Sequence, residues 1–411
     1  MLLTKLRTAK GFGSLQGRRH LVRTRLLAFY VWFQSQPGHD ETAAFFQKEG
    51  EIVSELVALL QAESAVPEDL RTLALRALAV QLLDRTRHTP VISAISSGGQ
   101  TSLLSMLMHK AVASITGGQA ASSSQGQYSM QFVEALLSLL GALVACSSGC
   151  AALSDAGVVP ALLPLVRDTD PDHVNLVSAG VRILEAFMDF NAAAATVFRD
   201  LGGLQAMVNR LEAEVGHDTE QMNTDEATPT PAAAESSQPS TSTTAPSIPS
   251  DTKLVPYARR VLLKSLLRAV ALASYHHGNG MRGTEDDQSK LFACLKIVIE
   301  GGQEFGGALF ALAASVMSDL IHHDPLCFRT LEAAGLPEAY LKAIQVCFCL
   351  DNSRCAVMMR TTIISRFATV GKGVQSNVSQ VCKVFYAYVS VSVTLLVYVL
   401  VVFCTCIRVT T

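Results

Sequence analysis

Four groups of residues in this chain have types and spacings that could do chemistry. Gly278-Asn279-Gly280-Met281-Arg282-Gly283 has the literal G-x-G-x-x-G spacing of a loop that lays backbone amides against a pyrophosphate. That chemistry needs a strand before the motif and a helix after it. Here a helix-like run from Val261 to Tyr275 precedes it, and Thr284-Glu285-Asp286-Asp287 follows, with carboxylates that repel phosphate. A loop between helices is the expectation. His276-His277 and His322-His323 resemble metal ligands, and His323 and Cys327 have the i, i+4 spacing that chelates from one helix face. Two ligands do not make a site, and no C-x-x-C pair accompanies them, so surface or capping histidines are expected. Cys146 and Cys150 are also i, i+4, and are read as small residues buried in an apolar helix. Neither a Gly-x-Ser-x-Gly elbow nor a P-loop occurs in the sequence. No catalytic, cofactor-binding or metal-ligating residue is therefore assigned, and no cofactor is expected.

The elements that carry these residues follow from composition. The 411 residues are 49% hydrophobic and only 6% aromatic, with a single Trp at Trp32. Leu and Ala dominate, and both favour helix, whereas strands need β-branched and aromatic residues throughout. A formal net charge of −2 argues against a general nucleic-acid binder. Charge is nonetheless uneven: Met1 to His39 holds no acid but carries Lys5, Arg7, Lys10, Arg18, Arg19, Arg23 and Arg25. The cysteines begin only at Cys146 and show no disulfide-like framework, so buried free thiols in a reducing compartment are expected.

A recurring unit organises the chain. A glycine closes one helix and an apolar-periodic helix starts just after it, at Gly50, Gly99, Gly157, Gly203 and Gly335. Gly50 and Gly99 are 49 residues apart and Gly157 and Gly203 are 46 apart. The 58 residues from Gly99 to Gly157 become 47 once the 11-residue polar insert Gly117–Gln127 is set aside. Such periods belong to armadillo and HEAT repeats. Pro160 and Pro337 sit where a first helical turn needs no amide hydrogen, and Val66-Pro67-Glu68-Asp69-Leu70 adds acids at the positive end of a helix dipole. Ile52, Leu56, Leu59 and Leu60 make one buried face, and the dense Leu136, Leu137, Leu139, Leu140 and Leu143 suit a helix buried on several sides.

Two inserts interrupt the array. Thr116–Ser129 is rich in Gly, Ser and Gln, and Gly216–Thr252 is rich in Thr, Ser, Pro and Ala and carries Asp218, Glu220, Asp225, Glu226, Glu235 and Asp251. The second cannot bury enough surface to offset its ordering entropy and is expected to be disordered. Its Thr228-Pro229 and Thr230-Pro231 fit proline-directed kinases, with a plain spacer as the alternative. At the far end, the 24 residues 384–407, between Lys383 and Arg408, hold no charge. That length spans a bilayer as a helix, with Phe385, Tyr386, Tyr388 and Phe403 at interfacial positions.

A resemblance to a known family rests on long blocks. The stretch from Leu2 to Phe12, then Gly17-Arg18-Arg19 and Arg25-Leu26-Leu27-Ala28, is similar to the start of the giant HECT-type E3 ubiquitin ligases of the plant UPL and animal HUWE type. So are Val66 to Leu78, Asp84-Arg85-Thr86-Arg87 and Ser97-Gly98-Gly99. A second block, Leu254 to Ile344, resembles the next region of the same ligases, most tellingly from Phe305-Gly306-Gly307-Ala308-Leu309-Phe310 through Asp319-Leu320-Ile321-His322 to Ala334-Gly335-Leu336-Pro337.

The resemblance implies scaffold rather than catalysis, with other proteins, ubiquitination substrates or adaptors, as partners; the net charge of −2 gives no reason to expect nucleic acid among them. Thr405-Cys406 is not expected to accept ubiquitin. The resemblance places the N-terminal arginines in a folded helix pair, with a mitochondrial transit peptide as the alternative. It is placed as ending near Gln345, where a truncated or mis-spliced gene is the expectation.

The expected fold is all-α, an armadillo/HEAT-like α-solenoid in two parts separated by a disordered insert, with a hydrophobic C-terminal tail. Its divisions are residues 1–215, 216–252, 253–345 and 346–411. The expected function is a non-catalytic interaction scaffold of the ubiquitination pathway, cytoplasmic or nuclear. The alternative is an adaptor tail-anchored in a membrane through 384–407.

Overall fold

Leucine spacing decides the elements. Among the described residues of this computed structural model (13–34, 52–61, 65–97, 101–117, 128–224, 255–275, 284–324 and 327–349), every regular element is helical. The helices are α1 (Gly13–Gln34), α2 (Ile52–Gln61), α3 (Glu68–Gln81), α4 (His88–Ser96), α5 (Leu103–Thr116) and α6 (Met130–Val144). Next come α7 (Ser147–Asp155), α8 (Val158–Arg167), α9 (Val174–Phe190), α10 (Ala192–Asp200) and α11 (Gly203–Thr224). The series closes with α12 (Tyr257–Tyr275), α13 (Glu285–Glu300), the single turn α14 (Gly302–Phe305), α15 (Gly307–His323), α16 (Phe328–Ala333) and α17 (Leu336–Cys349). Short 3₁₀ turns precede α4 and α9.

The chain divides into two compact units, 1–343 and 344–411. The first packs as an α-solenoid. Its long helices stack as one layer in the order α1, α3, α6, α9, α12, α15, each touching the one before and the one after. A second layer runs α5, α8, α11, α13 in the same manner, and the short α4, α7 and α10 turn the chain between repeats. Repetition therefore places each element against near neighbours only. Helices α7 and α8 meet at 79°, a corner that sends the chain from the connecting turn into the second layer.

The core is the seam between layers. Ile52, Leu56, Leu59 and Leu60 are all buried, as are Leu136, Leu137, Leu139, Leu140 and Leu143 on α6. Phe132, Phe198, Phe292 and Phe310 are fully enclosed. Positive φ at Gly157, Gly202 and Gly335 (71°, 73° and 73°) stops one helix so that the next starts immediately after it. The expected glycine at Gly203 is thus corrected to Gly202, because Gly203 is already the first residue of α11. Pro160 lies in the first turn of α8 and Pro337 in that of α17, while Pro67 stands one place earlier, as the N-cap of α3.

Helix α11 continues to Thr224, nine residues into the segment read as an insert beginning at Gly216. Helices α11 and α12, on either side of that segment, pack on each other within the two layers. Gly50, Gly99, the Thr-Pro pairs, Thr405-Cys406 and residues 384–407 lie outside the described residues. No single helix among the described residues is long and apolar enough to cross a membrane.

Gly157→Ala tests the left-handed stop. A side chain at φ 71° costs about 1–2 kcal/mol, so a lowered denaturation midpoint is expected. Gly216→Ala, in mid-helix with nothing within 4 Å of the added Cβ, is expected not to lower it.

Candidate functional site

None of the sequence motifs assembles into a reactive centre. The G-x-G-x-x-G segment lies outside the described residues, but its flanks are the helices α12 and α13, with no strand before it. Thr284 opens α13 with a capping box, its hydroxyl accepting from the Asp287 amide (3.1 Å) while the Asp287 carboxylate accepts from Thr284. Asp287 is thus held by helix capping. His323 ends α15, whereas Cys327 is the N-cap of α16, so the pair does not share a helix face as the spacing suggested. Cys146 and Cys150 do not lie within one helix either: Cys146 is the extended N-cap of α7, at the corner after α6. The Cys150 thiol donates to the Val144 carbonyl across that corner (3.3 Å). Among the described residues no cluster of three metal-ligating side chains occurs.

One arrangement escaped the sequence reading. His173 Nδ1 lies 2.6 Å from the Asp168 carboxylate, beside a concavity of about 450 Å³ that Ser114, Tyr128, Ser129 and Glu68 also line. A histidine oriented by a carboxylate near serines invites comparison with a hydrolytic triad. Neither hydroxyl is hydrogen-bonded to His173, however. Ser114 donates to the Ala111 carbonyl (2.7 Å), and Ser129 accepts from the Phe132 amide (3.4 Å) as the cap of α6. The pair instead closes the α8–α9 corner, where Asp168 also accepts from the Asp170 amide (3.0 Å) and Asp170 from the Asp172 amide (2.9 Å).

A buried ionic chain fixes this corner to the layers. Arg210 on α11 donates to the Asp168 carbonyl and pairs with Glu214 (2.6 Å), and Glu214 pairs with Arg259 of α12 (3.0 Å). Side-chain exposures of 2%, 7% and 13% for Arg210, Glu214 and Arg259 leave water little room to replace a lost partner. Another buried cation, Arg71 on α3, lies over the Tyr128 and Phe132 rings, 5.3 and 5.5 Å from their centroids.

What the repeats leave open is one side of the long-helix layer. The inner helices α6, α9 and α12 each pack on two neighbours in the row and on the second layer, so a single stripe stays unburied on each. On α6 that stripe holds Glu134, Ser138, Gly141 and Ala142. On α9 it holds Ala179, Arg182, Glu185, Ala186 and Asp189, and on α12 Arg260, Lys264 and Arg268. Small residues on α6 and α9 keep the floor low, and charge stands on α9 and α12. Burial raises the Glu185 carboxyl above its ordinary range, against the opposing pull of Arg268, Arg182 and Lys264. At α1 the exposed side is apolar and basic instead, with Trp32 59% exposed and its ring 6.1 Å from that of Phe29.

A stacked array with one open side and no converged reactive groups among the described residues defines the class: an armadillo-like α-solenoid. Sequence similarity adds the relatives. Residues 1–113 match DUF908 and residues 178–374 match DUF913, both described as domains of unknown function. The second match runs past Gln345, where the sequence reading ended its resemblance. The E3 ubiquitin-protein ligases UPL1 and UPL2 of Arabidopsis thaliana are 45% and 44% identical over 84% of this chain. HUWE1 of Mus musculus is 26% identical over 84%. The chain spans about 9% of the length of these plant relatives, within their N-terminal regions. Over most of its length the chain is thus similar to the N-terminal region of the giant HECT-type E3 ubiquitin ligases. Among solved structures, a designed armadillo repeat protein is similar over 76% of this chain and 99% of its own, at 13% identity and a TM-score of 0.43.

Two outcomes check the interior. Glu214→Ala removes the carboxylate that two buried arginines share and is expected to cost roughly 3–5 kcal/mol, read by denaturant titration. Burial pushes the Cys294 and Cys327 thiols up to about 12, so at pH 8 both stay protonated. Alkylation followed by peptide mass mapping should label them only after unfolding. Labelling in the native protein at the rate of a free thiol would contradict the burial.

Proposed function

We propose that this chain is a non-catalytic protein-interaction scaffold of the ubiquitination pathway. It presents the open side of its long-helix layer to proteins that are ubiquitylated or to their adaptors. The observation that carries this reading is the row of unburied stripes on successive helices, above a core that spends its polar groups on caps and buried ion pairs. Extended surfaces of this kind suit polypeptide partners better than small substrates, which need a concave apolar pocket with converging polar groups. The kinship with E3 ubiquitin-protein ligases supports the pathway, and the location of the match in their N-terminal regions supports a role in choosing partners rather than transferring ubiquitin. The buried free thiols Cys150, Cys294 and Cys327 suit a reducing compartment, cytoplasm or nucleus.

Site-specific photo-crosslinking tests the reading. A crosslinker at Ser138 or Ala179, on the open side, is expected to capture proteins that themselves carry ubiquitin. The same group at Ala213, exposed on α11 of the second layer, is expected to capture few. Equal capture from both sides would refute the surface assignment. Discharge of a ubiquitin-loaded E2 by the purified chain alone, leaving a thiol-sensitive ubiquitin adduct on it, would refute the non-catalytic role.

A further inference from the structure

The open side of α9 and α12 carries cations that the fold leaves unused. Arg182 lies on α9, and Arg260, Lys264 and Arg268 recur at i, i+4 and i+8 along α12. Helix α12 contains no acid. Among the described residues none of these four side chains makes an ion pair or a hydrogen bond, and the Arg260 Nε is buried without an acceptor. This contrasts with Arg259, one residue away, which is spent on Glu214. Arg268, Arg182 and Lys264 act electrostatically on the half-buried Glu185 without an ion pair to it, and with Asp189 as the other acid acting there this side keeps more positive than negative charge.

Spacing says what would match them. Four residues of helix rise about 6 Å, so Arg260, Lys264 and Arg268 form a ladder with about 6 Å steps. Every second side chain of an extended peptide recurs at about 6.6 Å on one edge. A segment with an acid at alternate positions also holds itself extended by self-repulsion. Its intervening neutral residues can pass Glu185, Asp189 and Asp319, the acids of the flanking helices α9 and α15. A phosphodiester backbone cannot interrupt its charge in this way, and the chain as a whole is slightly acidic.

We propose that the open side of α9 and α12 binds an extended acidic segment of a second protein, with carboxylates at every second residue seated on Arg260, Lys264 and Arg268 and a flanking acid on Arg182. This rests on the scaffold role and adds the chemistry of the partner.

Fluorescence anisotropy with the full chain tests it, using a labelled alternating Glu-Ser peptide of about 15 residues, roughly 50 Å when extended. The expected result is binding that weakens with salt and is absent for an alternating Lys-Ser peptide. K264E/R268E should weaken it at least about tenfold, while K264R/R268K retains it. Circular dichroism confirms the fold of the reversed variant. If that variant unfolds, R182E alone, at an exposed position, must still weaken binding. No binding of the Glu-Ser peptide, or binding indifferent to charge reversal, overturns the proposal. So does tighter binding of a single-stranded oligonucleotide. Binding seen only after deletion of residues 225–252 would assign the face to the chain's own acidic segment and overturn a second protein as occupant. Should crosslinking at Ser138 and Ala179 capture ubiquitylated proteins while the Glu-Ser peptide fails to bind, the scaffold survives and the acidic partner does not.

Discussion

Everything in the first unit depends on burying leucine-rich helix faces against neighbours in a row. A helix such as α6, apolar on several sides, cannot be stable alone. It is satisfied only when α3, α9 and the second layer close around it. Side-chain packing of this sort is non-directional, so direction must come from elsewhere. It comes from residues that end helices abruptly, Gly157, Gly202 and Gly335, and from prolines and acids that start them. Apolar burial supplies the stability, and the punctuation between helices sets how one repeat is placed on the next.

Much of this was legible in the chain. Leucine periodicity located the helices and their buried faces, because a 3.6-residue pattern has one structural solution at this length. Glycine spacing announced the repeat, although a run such as Gly202-Gly203 does not say which member takes positive φ. The chelating look of His323 and Cys327, and the single helix assumed for Cys146 and Cys150, failed for one reason. Each spacing was read as though the helix continued, and in both places it turns a corner. The buried chain from Asp168 through Arg210 and Glu214 to Arg259 was illegible, since its members are far apart in sequence and only α11 and α12 bring them together.

The open side was equally hidden. Arg182, Lys264 and Arg268 are ordinary charged residues of amphipathic helices when read singly. They become a feature only when α9 and α12 lie side by side with Glu185 between them. Neighbouring Arg259 and Arg260 show how finely the fold distributes one residue type. A step of one position, about 100° around the helix, separates an arginine locked into the interior from one left without a partner.

Contacts limited to adjacent repeats also have a mechanical consequence. A globular core resists stretching until it fails as a whole, because its two ends are tied through the same residues. Here tension applied at the two ends would pass through each seam in turn, and each seam holds only its own leucines. The array is therefore built to behave as a series of soft couplings. It can flex or lose one repeat under load while the rest stays folded, and close again when the load is removed.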